Sequence, residues 1–323
     1  LFVGFSNRSS LLQYLQASPR MLGLLCTIFG NSDSLAFALI RDPMLVYWLA
    51  EEDVLTTAPT REGMVAALRQ SLGSLKATEL KLDVLRRVRR REMLRIGVRD
   101  LLRLATVEET VGSLSDLASV LIHAAYEIVD KDLKTQHGTP MHQRPDGTWI
   151  ETEFVVIGMG KLGAHELNYS SDVDLIYVYA SADGETRKAK GNRQASIKPL
   201  SNEEYFEMLA RSLTKALAEQ TREGAVFRVD LRLRAEGTVG QLARSVEAYA
   251  KYYAQRGQVW ERLALLKAWP VAGSPAVGQA FVQMAEGFVF QSDLQPLTRE
   301  RALAVIRDVR SVKEMIDEKI AVR

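Results

Sequence analysis

The sequence predicts an α+β protein in which a mixed sheet lies between a large N-terminal helical region and a C-terminal helical segment. Three observations lead there. Residues 1–136 carry apolar positions at three- and four-residue spacing, with no strand pattern among them. The middle of the chain holds short runs that are continuously apolar or rich in β-branched and aromatic residues. Helical periodicity then returns from Val246 onward.

In the N-terminal region, "SPRMLGLLCTIFG", "NSDSLAFALIRDPMLVYWLA" and "TREGMVAALRQSLGSL" each combine amphipathic spacing with Ser, Asn or Thr near the start. Those residues cap helices because their side-chain oxygens accept from the first unpaired backbone N–H groups. Longer helical patterns cover residues 76–104 and 107–133, and no strand is expected before residue 150. The run Arg86, Arg87, Arg89, Arg90, Arg91, Arg95 wraps around its helix and so cannot face one ligand; a solvated, ion-paired surface is expected.

The stretch "HGTPMHQRPDGTW", residues 137–149, has two prolines, two glycines and a turn signal, and is expected to be a connector. "FVVIGMG" reads as a buried strand running into glycines, and "DVDLIYVYA" as a second strand. Residues 181–200 are polar and weakly patterned, which predicts an exposed loop. Ser201 with Glu204 forms a capping box for a helix reaching about Arg222, with Gly224 beyond its end. "AVFRVDLRLR" reads as a third strand, followed by helices through "RERALAVIRDVRSVKEMIDEKI". The expected domains are therefore 1–136, 137–245 and 246–323.

At 323 residues, 47% apolar and 25% charged, the chain has ordinary globular composition. A net charge of +2 gives no argument for a polyanionic partner, so nucleic acid is not expected. The single cysteine, Cys26, cannot form an internal disulfide, which points to a reducing, cytoplasmic setting. No run is long enough for a membrane span and no secretory signal opens the chain. The chain opens on Leu1 and ends at Arg323 within a helical pattern, which reads as a piece of a longer protein.

The chemistry concentrates in "GMGKLGAHELNYSSDVDLI". Gly158, Gly160 and Gly163 fit the G-x-G-x-x-G dinucleotide fingerprint after a strand. In that fold the ribose-binding acid closes the second strand, whereas here Asp172 and Asp174 open it, and only a short helix fits between. As i and i+2 on a strand, the two aspartates project from one face, the arrangement that two-metal phosphoryl transfer requires. On the third strand, Phe227, Val229, Leu231 and Leu233 alternate with Arg228, Asp230, Arg232 and Arg234. Three arginines around one aspartate make sense beside metal and phosphate, with Asp230 as a third ligand and Arg232 and Arg234 as phosphate clamps. The glycine turn at Gly158 and Gly160 would then offer backbone N–H groups to an anion, with Lys161 adding charge and Ser170 or Ser171 a hydroxyl. No histidines have metal-ligand spacing.

A strand, a glycine turn, Ser-Asp-x-Asp entering a second strand and a single later carboxylate together resemble the DNA polymerase β-type nucleotidyltransferase superfamily. More narrowly, "GMGKLGAHELNYSSDVDLI" with "FRVDLRLRAEG" and "WERLALLKA" resembles the bifunctional glutamine synthetase adenylyltransferase/adenylyl-removing family. "LRRVRRREMLRIGVRDLL" and "IFGNSDSLAFALIRDP" extend the likeness over most of the chain, and "ELNYSSDVDLI" is similar to its N-terminal, adenylyl-removing half.

The resemblance implies a nucleotidyltransferase core with Asp172, Asp174 and Asp230 as catalytic Mg²⁺ ligands, Mn²⁺ being a substitute. It implies phosphorolysis: phosphate attacks the adenylyl phosphorus on a glutamine synthetase tyrosine and releases ADP. Implied partners are adenylylated glutamine synthetase, a PII-type signalling protein, ADP or ATP, and phosphate. Two alternatives stay open, AMP transfer from ATP, for which Asp230 is the candidate base, and a catalytically silent nucleotide- or regulator-binding module.

Overall fold

The computed structural model describes residues 8–188 and 198–290, together with Arg307, Arg310 and Glu314. Contacts divide the chain into two compact units that are not contiguous in sequence. One comprises residues 1–124, 165–170 and 219–226; the other comprises 125–164, 171–218 and 227–323. The division falls inside a helix, between Ala124 and Ala125.

The helical unit follows the expected periodicity: α1 (Arg8–Ala17), α2 (Pro19–Asn31), α3 (Asp33–Arg41), α4 (Leu45–Leu49), α5 (Glu52–Thr56), α6 (Arg61–Leu72), α7 (Thr78–Leu101) and the first part of α8 (Val107–His137). Ser32 caps α3 by accepting from Leu35 N, and Thr60 caps α6 by accepting from Gly63 N. Leu25, Ile28, Leu39, Val46, Leu49, Leu94 and Val98 close one core.

The α7 arginines are ion-paired as expected, Arg86 with Asp83 and Arg91 and Arg95 with Glu92, but the face is not solvated throughout. Arg86 and Arg99 are buried. Arg95 donates to Val54 O at 2.7 Å and Thr57 O at 2.9 Å, Arg99 donates to Leu55 O and Leu104 O, and Arg90 pairs with Glu223 at 2.9 Å. They satisfy carbonyl groups that short helices leave unpaired at their ends. Cys26 is a free, exposed thiol.

In the second unit the elements are β1 (Thr139–Gln143), β2 (Trp149–Glu151), β3 (Phe154–Gly158), α9 (Gly160–Gly163), β4 (Val173–Tyr179), β5 (Glu185–Arg187), α10 (Asn202–Ala218), β6 (Val229–Asp230), β7 (Ala243–Ser245), α11 (Val246–Arg256), α12 (Val259–Leu265), β8 (Trp269–Gly273) and α13 (Pro275–Val289). The expected connector is a hairpin: β1 and β2 pair antiparallel around the Arg144–Gly147 turn, and β5 adds to β1. Strand structure thus begins at Thr139, earlier than the sequence suggests, and the loop expected over 181–200 contributes β5. The rest of that loop, 189–197, lies outside the described residues.

The larger sheet runs β6-β4-β3-β8, with β7 also on β4. It is mixed, as expected. β3 pairs antiparallel with β4 and β8, whereas β6 and β7 pair parallel with β4, one at its start and one at its end. From Leu175 onward β4 is buried on both faces, which explains the unbroken apolar run there. Ile176 and Val178 join Val155, Ile157, Tyr249 and Phe281 in one core. On the opposite face Phe154 and Tyr179 each stack on Phe206 of α10, at 5.7 Å and 4.5 Å between ring centroids.

The capping box forms: Ser201 N donates to Glu204 Oε2 at 2.9 Å and Glu204 N to Ser201 Oγ at 3.2 Å. Its helix stops at Ala218, short of Arg222. Among the described residues no helix is long and apolar enough to cross a membrane.

Candidate active site

β4 and β6 place the acids. Their parallel register sets Val173 opposite Val229 and Asp174 opposite Asp230. Adjacent strands lie about 4.8 Å apart, and paired residues point to the same face. Asp172, two residues before Asp174, lies on that face too. Three carboxylates from two strands therefore share one corner of the sheet.

Their charge is only partly balanced. Burial, then the charges of Asp230 and Asp172, push the Asp174 carboxyl up to about 6, with Arg232 and Lys161 opposing. Asp230 goes the other way. Arg232 donates to it from the backbone N at 2.8 Å and from the guanidinium, Nε to Oδ2 at 2.8 Å, which holds the carboxyl below its ordinary range. Arg228, one of the three arginines expected on the Asp230 face, donates from Nε to Asp172 Oδ1 at 2.5 Å.

The third strand is shorter than its alternation implies. The bond from Arg232 N to the Asp230 side chain turns the backbone after two residues. Arg234 consequently leaves the charged face. It is buried, and its guanidinium donates to Leu231 O at 2.7 Å, Thr238 O at 3.2 Å and Gly240 O at 3.2 Å. Its donors hold the 231–240 loop, while Arg232, 65% exposed, stays beside the carboxylates.

The glycine turn is built for backbone proximity. Gly160 has φ +54°, and a Cβ there would sit 2.9 Å from Asp174 Oδ2. A Cβ on Gly163 would lie 1.8 Å from Lys267 O and 2.4 Å from Gly158 O. Met159 N donates to Asp174 O at 2.9 Å, tying the turn to the acidic strand. α9 is a single turn, too short for much of a helix dipole. Lys161 is exposed; Ser170 belongs to the helical unit and Ser171 to the sheet unit, directly ahead of Asp172.

The donor chemistry fits a hard divalent cation: three carboxylates, one of them desolvated beside like charges. Among the described residues no three acidic, histidine or cysteine side chains stand ready-made as a coordination sphere. Arginines occupy Asp172 and Asp230, so both carboxylates would have to exchange a guanidinium for the cation. A separate cleft of about 920 Å³, lined by His142, Glu151, Ala180, Val246, Ala280 and Met284 among others, lies at the other end of β4, and none of the three aspartates lines it.

The family model described as glutamate-ammonia ligase adenylyltransferase matches residues 22–284. The chain belongs to that family. It is similar to the bifunctional glutamine synthetase adenylyltransferase/adenylyl-removing enzyme of Nitrosococcus oceani, 38% identical over 304 residues, covering 93% of this chain and 29% of the relative. The Thioalkalivibrio sulfidiphilus enzyme of the same name is 39% identical over 289 residues, 89% of this chain and 28% of the relative. The Pseudomonas aeruginosa enzyme is 38% identical over 294 residues, 91% and 28%. The chain thus spans less than a third of the length of these curated relatives, and the adenylyltransferase family match covers both the helical unit and the acidic sheet.

Proposed function

We propose that this chain carries out metal-dependent removal of AMP from an adenylylated tyrosine of glutamine synthetase, with phosphate as the attacking group and ADP as the product. The observation that carries the reading is the pairing of Asp174 with Asp230, and of both with Asp172 on one face, in a member of this family.

Asp172, Asp174 and Asp230 would hold Mg²⁺ or Mn²⁺, which when bound supplies charge neutralisation at phosphate oxygens. Asp174, desolvated and crowded by like charge, gains most from a cation. Arg228 and Arg232 neutralise carboxylates in this structure and carry the positive charge that phosphate and adenylyl oxygens need once those carboxylates engage metal. Lys161 adds to the same field. Phosphate arrives as an anion, so the reaction does not need a strong base, in keeping with an Asp230 carboxyl held below its ordinary range. The opposite direction, AMP transfer from ATP to the tyrosine, is the competing reading.

The test incubates the chain with phosphate and adenylylated glutamine synthetase, and separately with ATP and the unmodified enzyme, following AMP on tyrosine by mass. The expected result is phosphate-dependent loss of AMP with ADP released, abolished by Asp172→Asn or Asp174→Asn with the fold intact. Undiminished release by either variant, or AMP addition without removal, overturns the reading.

A further inference from the structure

β6 and β7 pair with the same edge of β4, since β3 takes the other. Two residues of β4, Leu175 and Ile176, separate Asp174 from Tyr177, whereas the chain between their partners Asp230 and Ala243 runs through twelve, 231–242. The surplus cannot stay in the ladder and loops out beside the carboxylates.

This loop is held in one shape. Besides the three carbonyls that Arg234 engages, Gly237 N donates to Arg234 O at 2.9 Å. Glu236 has φ 62°, a left-handed backbone that a non-glycine residue keeps only where its surroundings enforce it. Its carboxylate accepts from Arg244 and from Arg256 Nη1, the latter at 2.8 Å. The loop thereby presents Val239 with 91% of its surface exposed.

The other side of the site carries a second apolar projection. β8 opens with Trp269, which pairs with Gly158 of β3, and Gly158 pairs in turn with Leu175, next to Asp174. At about 4.8 Å per strand, Trp269 stands two strands, roughly 10 Å, from the acidic strand. The turn before it is closed by Ala268 N on Leu265 O at 3.0 Å and packs on the glycine turn through Lys267 O. Leu265 enters the core, but Leu266 and Trp269 are 55% and 61% exposed.

Single exposed apolar residues are ordinary. Here they stand on held backbone on either side of one carboxylate corner, and tryptophan is among the side chains enriched at the anchors of protein interfaces. A small substrate would need neither projection. A tyrosine that belongs to a folded protein reaches the carboxylates only when the surface around it seats on their rim.

We propose that Val239, Leu266 and Trp269 form the rim on which the protein substrate docks, with Trp269 as its anchor. The inference rests on the reading above for the identity of that substrate, adenylylated glutamine synthetase, but not for the metal or the direction of the reaction.

The test measures binding of the full 323-residue chain to adenylylated glutamine synthetase in EDTA, where no turnover occurs. Trp269→Ser should weaken binding about tenfold and Val239→Ser about threefold, while Trp269→Phe should keep most of the affinity. ADP affinity, by calorimetry with Mn²⁺, should not change in either serine variant. Leu266→Ser reads the same rim should Trp269→Ser fail to fold. Undiminished binding by the serine variants overturns the proposal. So does a loss of ADP affinity in Trp269→Ser, which would make the indole a nucleotide contact. A wild-type chain that binds glutamine synthetase through this rim yet neither removes nor adds AMP takes away the catalytic reading and leaves the docking surface standing. One that releases AMP from a tyrosyl peptide but binds no glutamine synthetase does the reverse.

Discussion

Asp174→Asn should make the metal-free chain more stable while removing its activity. The carboxyl is pushed from its ordinary value of 3.8 to about 6, first by burial and then by Asp230 and Asp172. A displacement of roughly two corresponds to about 3 kcal/mol of penalty on the ionised form. Asp174 remains partly open to water, so screening reduces the recoverable part to about 1–2 kcal/mol. Asparagine keeps the shape beside Gly160 and removes the charge. The sign is set by a folded pKa above the unfolded one. The wild type loses stability as pH rises from about 4 through about 6, so the variant's advantage should be full above pH 7 and vanish near pH 4. Urea unfolding in EDTA across that range measures it, and the AMP-release assay at neutral pH measures activity. A destabilised variant at pH 7.5 would refute the reasoning, because the carboxylate would then be satisfied by its surroundings. A stabilised variant with full activity would refute its catalytic part.

Two further substitutions probe what frames the site. Gly163→Ala should cost more than about 3 kcal/mol, since its Cβ would overlap the backbone oxygens of Lys267 and Gly158; a melting temperature within a degree or two of wild type would show that the turn can open. Tyr205→Phe removes a hydrogen bond donated at 3.0 Å to the buried Asp130 carboxylate, which keeps Lys134 as a partner, and should destabilise by about 1–3 kcal/mol in urea unfolding without changing Mn²⁺ affinity.

Much of this architecture is legible in the sequence, for identifiable reasons. Local chemistry that acts within a few residues survives: the Ser32 and Thr60 caps, the Ser201–Glu204 box and the unbroken apolar run of β4. Elements that depend on remote partners do not. β1 and β2 are short and β1 contains Pro140, so only their turn is visible and the pairing is not. β8 hides as "WPVAG" between helices because its strand character comes from β3. The α7 arginines look like a solvated face because no local pattern reveals that Val54, Leu55 and Thr57 present unpaired carbonyls.

The site shows the same boundary at finer scale. The spacing of Asp172 and Asp174 specifies a shared face, and the structure keeps it because both flank an extended, buried residue. The alternation through Arg234 does not survive, because it assumes an extended backbone that the Asp230 side chain ends by capturing Arg232 N. One residue thus serves two purposes: the carboxylate that faces Asp174 across the ladder also terminates the strand that carries it. That economy leaves β6 a two-residue ladder, which is held as well by Phe227 N donating to Leu217 O of α10 at 2.9 Å and by Arg228 reaching Asp172.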